Sequence, residues 1–573
     1  MTSSSPSTDV GDALISRLRN IGARVCFGVP GGQTIPLYGA ARRSGFSHVL
    51  MRDERNAACA ADAYARVTGR IGVCDATVGP GATNLISGLA EAYASGVPVL
   101  AIVADVKTER EHLRHRGVAS QAMEQQALME TVSKQVVRVH SSVSLASAFD
   151  SAIRVAVTGR AGPVTLEIPE DVFTASAELD ETGENLQAGT WPRYATDPSA
   201  ESVALAVEAL ASAERPIILA GGGAMSSLHR NEITALAEMH NIPVVTSING
   251  KGVIDEYHEL SRGVVGVFGS VAASVALQKA DVVLILGSKF AQFNSFLWRL
   301  PSPTQHLIHV DSDGAELGRA MPVSQSICAD AGRTALHIRE AMGSIARCQN
   351  WQVDASDIPD QPGTKEDDDR VAPEAVIELI SEMADEQTVM VSDASLASGW
   401  AASRYRVRGS GRKYLAPRGL AGIGWAGGAA IGAAVALQEE HPDVGHVVSI
   451  SGDGATSYWI GEVETAVRLQ LPIIFVILNN AGFGWIMQGE NMLGIQPRST
   501  FGSVDFSAMG RAMGTAAFRA ETIEEASEAL QSAWQIKGPV IIEIASSEMA
   551  SPSVDFGSLD PSAASAYGAY GMG

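Results

Sequence analysis

The chain has 573 residues, and at roughly 150–200 residues per domain this length predicts about three domains rather than one hydrophobic core. Its composition, 46% hydrophobic and 18% charged, is typical of a well-buried globular protein. The net charge of -22 argues against nucleic acid as a partner, because no excess of Lys and Arg is present to displace counterions. The five cysteines lack metal-ligand spacing, the first residues MTSSSPSTDVGD lack the cationic and apolar pattern of a signal peptide, and no apolar run of about 18 residues occurs. We therefore expect mostly buried thiols, a reducing cytoplasmic compartment and no membrane partner.

The first block of alternating helices and strands spans residues 9–178. An amphipathic helix, ALISRLRNIG, precedes the apolar strands VCFG, IGVCDAT and VPVLAIVAD, and an Ala-rich helix begins near Asn56. Glycine-rich turns follow two of these strands before the next helix, which is the pattern of parallel βαβ units. A polar stretch from Leu179 to Ser199 then predicts a linker.

Two further α/β blocks follow this linker. The second block covers residues 198–346, with the strands PIILA, IPVVTS, ADVVLILG and HLIHVD. After an acidic linker, the third block covers residues 371–550, with the strands TVMVS, HVVSISG and LPIIFVILN. Residues 551–573 lack periodicity, which predicts a disordered tail or a lid that orders over ligand. The whole pattern predicts an α/β chain of three doubly wound parallel-sheet domains with a C-terminal lid or tail.

The clearest chemical signal is a pair of polar strand ends in the third block. One apolar strand ends at Gly452-Asp453-Gly454, 24 residues intervene, and the next strand ends at Asn479-Asn480. The carboxyl ends of neighbouring parallel strands meet at one edge of a sheet, where α/β proteins bind ligands. These polar residues should therefore converge.

Their chemistry suits a metal-bridged diphosphate. The carboxylate of Asp453, the side-chain amide of Asn480 and the backbone carbonyl group of Gly482 supply the oxygen ligands that Mg²⁺ prefers. Glycine lets the backbone approach the anion closely, and the amides that open the next helix can bind it. The residues predicted to contact the diphosphate in this way are Gly452, Gly454, Ala455 and Thr456.

At this spacing the two motifs resemble the thiamine diphosphate signature. The resemblance extends over nearly the whole chain to the family of acetohydroxyacid synthase, oxalyl-CoA decarboxylase and 2-hydroxyacyl-CoA lyase. FGVPGG, MRDERNAACAADAYARVTGR, TVGPGATN and AGPVTLEIPEDV all look like that family's first domain. It implies pyrimidine-binding, central and diphosphate-binding domains, with thiamine diphosphate and Mg²⁺ as cofactors. It also implies a cofactor shared between two subunits, so we expect a homodimer at least, and a tetramer as the assembly.

The resemblance assigns further residues to the cofactor. Glu54 matches the family glutamate that hydrogen-bonds the pyrimidine ring, so that the ring's amine can take the proton from the thiazolium carbon, although a glutamate here is also typical of a helix start. Ile423 matches the large apolar residue that keeps the cofactor bent, and Ala394-Ser395-Leu396 matches a loop against the diphosphate. Gln121 matches a glutamine that faces the reacting carbon, with a solvated helix residue as the alternative. Gln33 is expected to bind substrate.

Acetohydroxyacid synthase is the first candidate for the reaction. The segments GGG at Gly221, LGSKF and IHVDSDGAELGR resemble its central domain. Two of its substrate-selecting residues are absent, however, because Phe293 stands in the place of an arginine and Gly489 in the place of a tryptophan. An acetolactate synthase-like carboligase acting on pyruvate is therefore an alternative interpretation rather than the first one.

Other segments resemble the enzymes of CoA thioesters. Arg412 and Lys413 fall where oxalyl-CoA decarboxylase has a basic pair near the CoA phosphates, although a solvated basic loop also explains them. The tail SVDFGSLDP, which contains Ser553, resembles that enzyme's lid over CoA. Glu490, ten residues beyond Asn480, is a candidate base for the proton of a 2-hydroxyl group, with a surface glutamate as the alternative.

We predict from these features a 2-hydroxyacyl-CoA lyase. It would cleave a short or branched ester, such as 2-hydroxyisobutyryl-CoA, into formyl-CoA and a ketone or aldehyde such as acetone. An oxalyl-CoA decarboxylase is the second alternative, and retention of Glu54, Asp453 and Asn480 argues against a non-catalytic binding relative. The resemblance implies that the central domain holds ADP, FAD or no nucleotide, with FAD the less favoured of the two nucleotides. Asp311, at the end of the strand LIHVD, is placed to accept a hydrogen bond from the ribose of either one.

Overall fold

The computed structural model describes residues 8–178, 186–343, 345, 351–363, 370–440, 445–548, 550–554 and 559. These residues contain three six-stranded sheets whose strands all pair in parallel. The predicted α/β fold with three parallel-sheet domains is confirmed, while the domain boundaries stay a prediction. The described residues fall into two compact units, one within 1–194, 417–443 and 459–471 and the other within 195–416, 444–458 and 472–573.

The first sheet lies in the first unit. Its strands are β1 (Val25–Gly28), β2 (Ser47–Leu50), β3 (Gly72–Ala76), β4 (Val99–Asp105), β5 (Val136–Arg138) and β6 (Val164–Pro169), in the order β2-β1-β3-β4-β6-β5. The helices are α1 (Val10–Asn20), α2 (Ile35–Ser44), α3 (Glu54–Thr68), α4 (Pro80–Ser95), α5 (Gln125–Glu130), α6 (Leu145–Val157) and α7 (Glu170–Phe173). The central strands β3 and β4 are buried along their whole length, as expected for parallel strands covered on both faces.

The second sheet belongs to the second unit. Its strands are β7 (Pro216–Ala220), β8 (Val244–Thr246), β9 (Ser261–Val264), β10 (Val282–Leu286), β11 (His306–Asp311) and β12 (Gln325–Cys328), in the order β12-β11-β10-β7-β8-β9. Its helices are α8 (Ala200–Ser212), α9 (Gly222–Ser226), α10 (Asn231–His240), α11 (Val271–Lys279) and α12 (Ala331–Met342).

The third sheet is also in the second unit. Its strands are β13 (Val389–Ser392), β14 (Tyr414–Leu415), β15 (Val447–Gly452), β16 (Ile473–Asn479), β17 (Ala516–Ala520) and β18 (Val540–Ala545), in the order β14-β13-β15-β16-β18-β17. The helices of this stretch are α13 (Pro373–Met383), α14 (Leu396–Arg404), α15 (Ala426–Glu440), α16 (Asp453–Thr456), α17 (Glu462–Leu469), α18 (Gly484–Met492), α19 (Phe506–Ala512) and α20 (Ile523–Trp534). Short 3₁₀ helices cover Gly32–Thr34, Thr108–Arg116, Ser142–Ser144, Leu186–Gly189, Ile248–Gly250 and Ala355–Asp357.

Helix α15 packs closely along α3 inside the first unit. Both helices consist largely of alanine and glycine and are mostly buried. A Cβ atom at Gly428 would come within 2.5 Å of the Asn56 carbonyl oxygen, and one at Gly432 would overlap the Ala60 carbonyl group. The sequence AGGAAIGAA therefore reflects a close helix–helix approach that only small residues permit.

The cysteines follow the prediction with one exception. Cys26, Cys59 and Cys74 are buried free thiols, whereas Cys328 is exposed because β12 is an edge strand whose side chains alternate toward solvent. Cys348 lies outside the described residues. Among the described helices, none combines the length and the apolar character that crossing a membrane requires.

Candidate active site

Three loops leave neighbouring strands of the third sheet at their carboxyl ends. Strands β13, β15 and β16 are adjacent and in register, with Ser392 opposite Ile450 and Gly452 opposite Leu478. Asp453 therefore follows β15 where Asn480 follows β16, and Ala394 lies just beyond β13. The expectation that the two motif strands are neighbours is confirmed.

The Asp453 carboxyl group is buried and incompletely satisfied. Its Oδ1 accepts a hydrogen bond from the Gly454 amide at 2.8 Å, while Oδ2 is buried and has no hydrogen-bond partner among the described residues. Burial raises the pKa of Asp453 to about 6, against the opposing effect of the nearby amides of Gly454, Ala481 and Gly482. An unpartnered buried carboxylate oxygen is costly, and a cation is the ligand that would satisfy it. The residues at this edge therefore fit a magnesium ion.

The turn after β15 is shaped by close contacts. A Cβ atom at Gly454 would come within 2.6 Å of the Phe483 ring, so this position needs glycine. The Thr456 hydroxyl donates to the Gly452 carbonyl group at 2.9 Å, and Ala455 is buried beside it in α16. The turn is therefore held by a hydrogen bond between its own residues.

The two asparagines after β16 have different surroundings. Asn479 is turned into the fold, where its amide donates to Glu543 Oε1 at 2.8 Å and to the Val504 carbonyl group at 3.0 Å. Asn480 is half-buried at the strand end and precedes Ala481, whose φ of 58° turns the chain sharply. The next residue, Gly482, is fixed by a bridge to Thr500. The structure thus brings Asp453, Asn480 and Gly482 to one edge, as the sequence predicts.

The loop after β13 approaches the same edge. Ser395 has φ 66° and ψ −144°, a conformation that a non-glycine residue adopts only when the surroundings impose it. It precedes the nine-residue helix α14 and makes no side-chain cap, so its side chain does not occupy the N-terminal end of this helix, where an anion can bind. The Leu396 side chain lies 3.1 Å from the position that a Cβ atom at Gly484 would take. Ala394, Ser395 and Leu396 therefore lie beside the metal motif.

In the first unit, Glu54 is half-buried and is the first residue of α3. Asp53 caps the helix by accepting from the Arg55 amide at 2.8 Å, which leaves Glu54 free of the capping role. Glu54 Oε2 accepts from the Asn84 side chain at 3.0 Å, and Oε1 lies 3.3 Å from where a Cβ atom at Gly81 would be. The carboxyl group thus faces the start of α4 and its GPG turn.

Gln33 and Gln121 lie near the same GPG turn. Gln33 Oε1 accepts from the Thr77 hydroxyl at 2.7 Å. Gln121 is exposed and has φ 62°. Its Cβ atom lies 3.2 Å from the position that a Cβ atom at Gly79 would take. Ile423 is half-buried in the segment before α15. Their predicted roles toward substrate and cofactor stay predictions.

The basic pair expected near CoA phosphates is bonded to the protein's own backbone. Arg412 donates to the Ser226 carbonyl group at 2.7 Å and Lys413 to the Arg408 carbonyl group at 2.8 Å. Burial lowers the pKa of Lys413. These contacts favour a structural role for the pair.

Glu490 also forms hydrogen bonds within the protein. Its carboxylate accepts from the Ser499 hydroxyl at 2.6 Å and from the Arg498 amide at 3.2 Å. The Ser499 hydrogen bond is the main reason that the pKa of Glu490 is lowered. A lowered pKa makes a carboxylate a weaker base. These contacts therefore favour a structural role for Glu490, the anchoring of residues 490–499, over its predicted role in proton transfer.

Two other predicted positions lie in the second unit. Asp311 is half-buried at the end of β11. Its Oδ1, which was expected to bind a ribose, accepts a hydrogen bond from the Asp313 amide at 3.0 Å and so stabilises the turn after the strand. Ser553 is half-buried in the described segment 550–554, while most of the predicted lid lies outside the described residues.

Phe293, which replaces an arginine of the synthase, belongs to an aromatic cluster with Phe268 and Trp485. The rings of Phe293 and Phe268 are stacked with centroids 5.7 Å apart, and Trp485 meets them edge-on at 5.8 Å and 4.7 Å. Trp485 lies in the first turn of α18, three residues beyond Gly482. Phe268 is buried in the core, whereas Phe293 and Trp485 are partly buried, so the cluster carries apolar rings up to the helix that follows Gly482.

Three segments of the chain match the domains of thiamine pyrophosphate enzymes. Residues 8–130 match the N-terminal TPP binding domain, residues 203–338 the central domain and residues 393–544 the C-terminal TPP binding domain.

Similar proteins cover nearly the whole chain. The acetolactate synthase large subunit of Corynebacterium glutamicum is 31% identical over 565 residues, with 93% of this chain and 86% of that protein covered. An acetolactate synthase of Arthrospira platensis is 30% identical over 563 residues, covering 93% of each chain. The isozyme 2 large subunit of acetolactate synthase from Escherichia coli is 28% identical over 548 residues, with 94% and 95% covered. The chain belongs to the thiamine pyrophosphate enzyme family.

Membership of the thiamine pyrophosphate enzyme family supports thiamine diphosphate as the cofactor and the prediction that the chain is an enzyme using it. The comparisons do not support the narrower prediction of a 2-hydroxyacyl-CoA lyase, because these relatives are acetolactate synthases. They fit the alternative interpretation better.

Three polar residues near these sites were not predicted from the sequence. Asn84 holds Glu54, Glu462 accepts from the Arg52 amide two residues before Glu54, and Glu91 binds the segment that carries Ile423. Each acts through a contact with a residue distant in sequence, and Glu462 and Glu91 are buried. Glu462 and Glu91 have one feature in common, a carboxylate that is buried in the fold.

Proposed function

We propose that this chain is a carboligase of the acetolactate synthase type, which decarboxylates a 2-oxo acid such as pyruvate and joins the remaining fragment to a second carbonyl compound. The observation that carries this proposal is similarity to acetolactate synthases over at least 93% of the chain. Glu54, and Asp453 with Asn480, lie within the segments that match the N-terminal and C-terminal TPP binding domains.

In this proposal, Asp453, Asn480 and Gly482 hold Mg²⁺, and the backbone at α14 and α16 holds the diphosphate. Thiamine diphosphate, when bound, supplies an acidic carbon that adds to the substrate carbonyl group and takes up the electron pair released with carbon dioxide. Glu54 from a second copy of the chain hydrogen-bonds the pyrimidine end. The active unit is therefore a dimer, and a tetramer is the expected assembly.

The test is a balance of pyruvate, acetolactate and carbon dioxide with magnesium and thiamine diphosphate present. The proposal predicts one acetolactate and one carbon dioxide for every two pyruvates. Glu54→Gln should abolish both products, while Asp53→Asn, which keeps an equally good helix cap next to it, should keep both. Pyruvate that remains unconsumed by the wild-type chain would reject the proposal.

The aromatic cluster favours a second candidate, the 2-hydroxyacyl-CoA lyase. A synthase must accommodate the carboxylate of a second 2-oxo acid, and Phe293 offers it no cation. A lyase instead releases a neutral ketone or aldehyde, which the stacked rings of Phe268 and Phe293 suit better. The backbone contacts of Arg412 and Lys413 weigh against CoA binding at that pair.

The two candidates are separated by incubating the enzyme with 2-hydroxyisobutyryl-CoA and measuring formyl-CoA. Formyl-CoA without acetolactate from pyruvate would support the lyase, and the reverse would support the synthase. Phe293→Arg adds the missing cation, so in a synthase it should increase the use of a 2-oxo acid as acceptor. In a lyase it should reduce cleavage of the ester.

Nucleotide binding by the central domain remains part of the proposal. ADP is expected rather than FAD, with Asp311 near the ribose. Denaturing the purified protein and identifying any released nucleotide by chromatography tests this directly. Release of a flavin would contradict the choice of ADP.

A further inference from the structure

We infer that Asp62, Arg66 and Glu91 form a buried clamp that positions Ile423. The inference rests on the proposed function, because the position of Ile423 matters only if the chain binds thiamine diphosphate. All the residues concerned lie in the first compact unit. Asp62 and Arg66 lie in the segment MRDERNAACAADAYARVTGR, 8 and 12 residues beyond Glu54, whereas Glu91 lies outside the segments that resemble the family.

Glu91 holds the chain on the N-terminal side of Ile423. It lies in α4 with only 2% of its surface exposed. Its two oxygens accept three backbone hydrogen bonds from consecutive residues: Gly419 at 2.8 Å, Leu420 at 2.7 Å and Ala421 at 3.1 Å. One carboxylate thus fixes three successive peptide groups of a segment that has no helix or strand hydrogen bonds of its own.

The same network holds the chain on the other side of Ile423. The Trp425 indole donates to Asp62 Oδ2 at 3.1 Å, and the Arg66 guanidinium group lies 5.1 Å from the Trp425 ring centroid. Arg66 joins the two ends of the clamp, because it donates to Asp62 at 2.8 Å and to Glu91 at 3.3 Å. Residues on both sides of Ile423 are therefore tied to one charge network.

The backbone between these anchors needs external support. Ala421 has φ 64° and Gly424 has φ 87°, so the chain passes through the left-handed region on both sides of Ile423. A non-glycine residue in that region is strained by about 1 kcal/mol or more unless its surroundings hold it there. The Glu91 hydrogen bond to the Ala421 amide provides that support at the residue where the strain occurs.

Stability alone does not explain the clamp. Burying two carboxylates with one guanidinium group is costly, and well-packed apolar residues would commonly be as stable. Burial raises the pKa of Asp62, against the charge and hydrogen bonds of Arg66 and the hydrogen bond from Trp425. Charged hydrogen bonds are directional, so they fix the geometry of the groups that they join. We therefore assign Glu91 as a positioning residue that acts through Ile423.

The test measures two properties of the cofactor on the purified holoenzyme. The first is the dissociation constant for thiamine diphosphate with magnesium. The second is the rate at which the thiazolium proton of the bound cofactor exchanges for deuterium, which requires a bent cofactor. A displacement of about 1 Å can cost about 100-fold in a rate that depends on alignment, so Glu91→Gln should lower the exchange rate by roughly 10- to 100-fold. The dissociation constant should change much less.

Two further variants keep the inference open to rejection. Gly419→Ala leaves the charges intact but places a methyl group 2.7 Å from the Ser95 amide and hydroxyl, so it should displace the segment and lower the exchange rate as well. Glu439→Gln is the matched control, because Glu439 is another partly buried carboxylate of the same unit, bonded to Tyr64 at 2.8 Å. It lies 16 residues beyond Ile423, near the far end of α15. Its exchange rate should equal that of the wild type.

The outcomes separate the inference from the proposed function. A wild-type chain that binds no thiamine diphosphate would reject the proposed function itself. Wild-type exchange in both Glu91→Gln and Gly419→Ala, with cofactor bound, would reject the clamp. Equal losses of exchange in the Glu439→Gln control would also reject it, because the effect would then be one of general stability.

Discussion

The Glu462 carboxylate accepts a hydrogen bond from the Arg52 amide at 3.1 Å, although the two residues are 410 positions apart. Glu462 begins α17 and is fully buried, and its other oxygen accepts from the Thr465 hydroxyl at 2.8 Å. Arg52 lies two residues before Glu54. A buried acid from the C-terminal half of the chain therefore fixes the backbone that leads to Glu54.

This contact predicts a pH dependence of stability. Burial raises the pKa of Glu462 from 4.5 to about 7, more than its hydrogen bonds from Thr465 and Arg52 lower it. The folded state thus favours the protonated acid. The contribution of Glu462 to the free energy of unfolding is therefore complete below pH 4.5. It falls by about 3 kcal/mol as the pH rises through 7.

Urea unfolding of the wild type and of Glu462→Gln from roughly pH 5 to pH 8 measures this contribution. The difference between the two free energies of unfolding should move in favour of the variant as the pH rises, because glutamine carries no charge to bury. A difference that stays constant over this range would contradict the raised pKa.

Asp453→Asn should separate metal binding from folding. Removing a charge that is buried without a full set of partners should raise the melting temperature of the cofactor-free protein at pH 8. The same change should weaken magnesium and thiamine diphosphate binding by at least about 10- to 100-fold, because even residues that only hydrogen-bond to metal ligands contribute that much to affinity. Melting curves with and without both ligands measure the two effects together.

Asp505→Asn is the control for this change. Asp505 caps α19 by accepting from the Ala508 amide at 2.7 Å, and asparagine caps a helix equally well. Its melting temperature and its stabilisation by magnesium and cofactor should match those of the wild type. If Asp453→Asn were stabilised by the ligands as strongly as this control, Asp453 would not be a metal ligand.

Gly432→Ala should destabilise the first unit by about 1–3 kcal/mol, because the added methyl group overlaps the Ala60 carbonyl group of α3. Gly39→Ala is the comparison, also within a helix, where the nearest atom is the mobile end of the Arg43 side chain at 3.1 Å. That variant should be as stable as the wild type or slightly more so, since alanine favours helix. Equal stability of the two variants in urea would contradict the close approach of α15 and α3.

The convergence of Asp453 and Asn480 was predictable because its information is local. Strand patterns on either side of Asp453 and Asn480 place both residues at strand ends, and parallel pairing then brings the ends together. The three parallel sheets follow from the same alternation of apolar strands and helices. These features need no knowledge of which distant side chains meet.

The remaining features depend on pairings that a sequence does not specify. Glu91 reaches the amides of Gly419 to Ala421, and Glu462 reaches Arg52, across more than 300 positions. The basic residues Arg412 and Lys413 were expected near phosphates, yet they bond backbone carbonyl groups. A cationic side chain satisfies either partner, and only the tertiary structure determines which one it meets.

Acetolactate formed from pyruvate by the purified chain, with magnesium and thiamine diphosphate present, is the measurement that tests the proposed carboligase most directly. The proposal predicts one acetolactate for each carbon dioxide released, with no product when magnesium is removed or Glu54 is changed to glutamine. Carbon dioxide without acetolactate, or no reaction with pyruvate at all, would contradict the proposal.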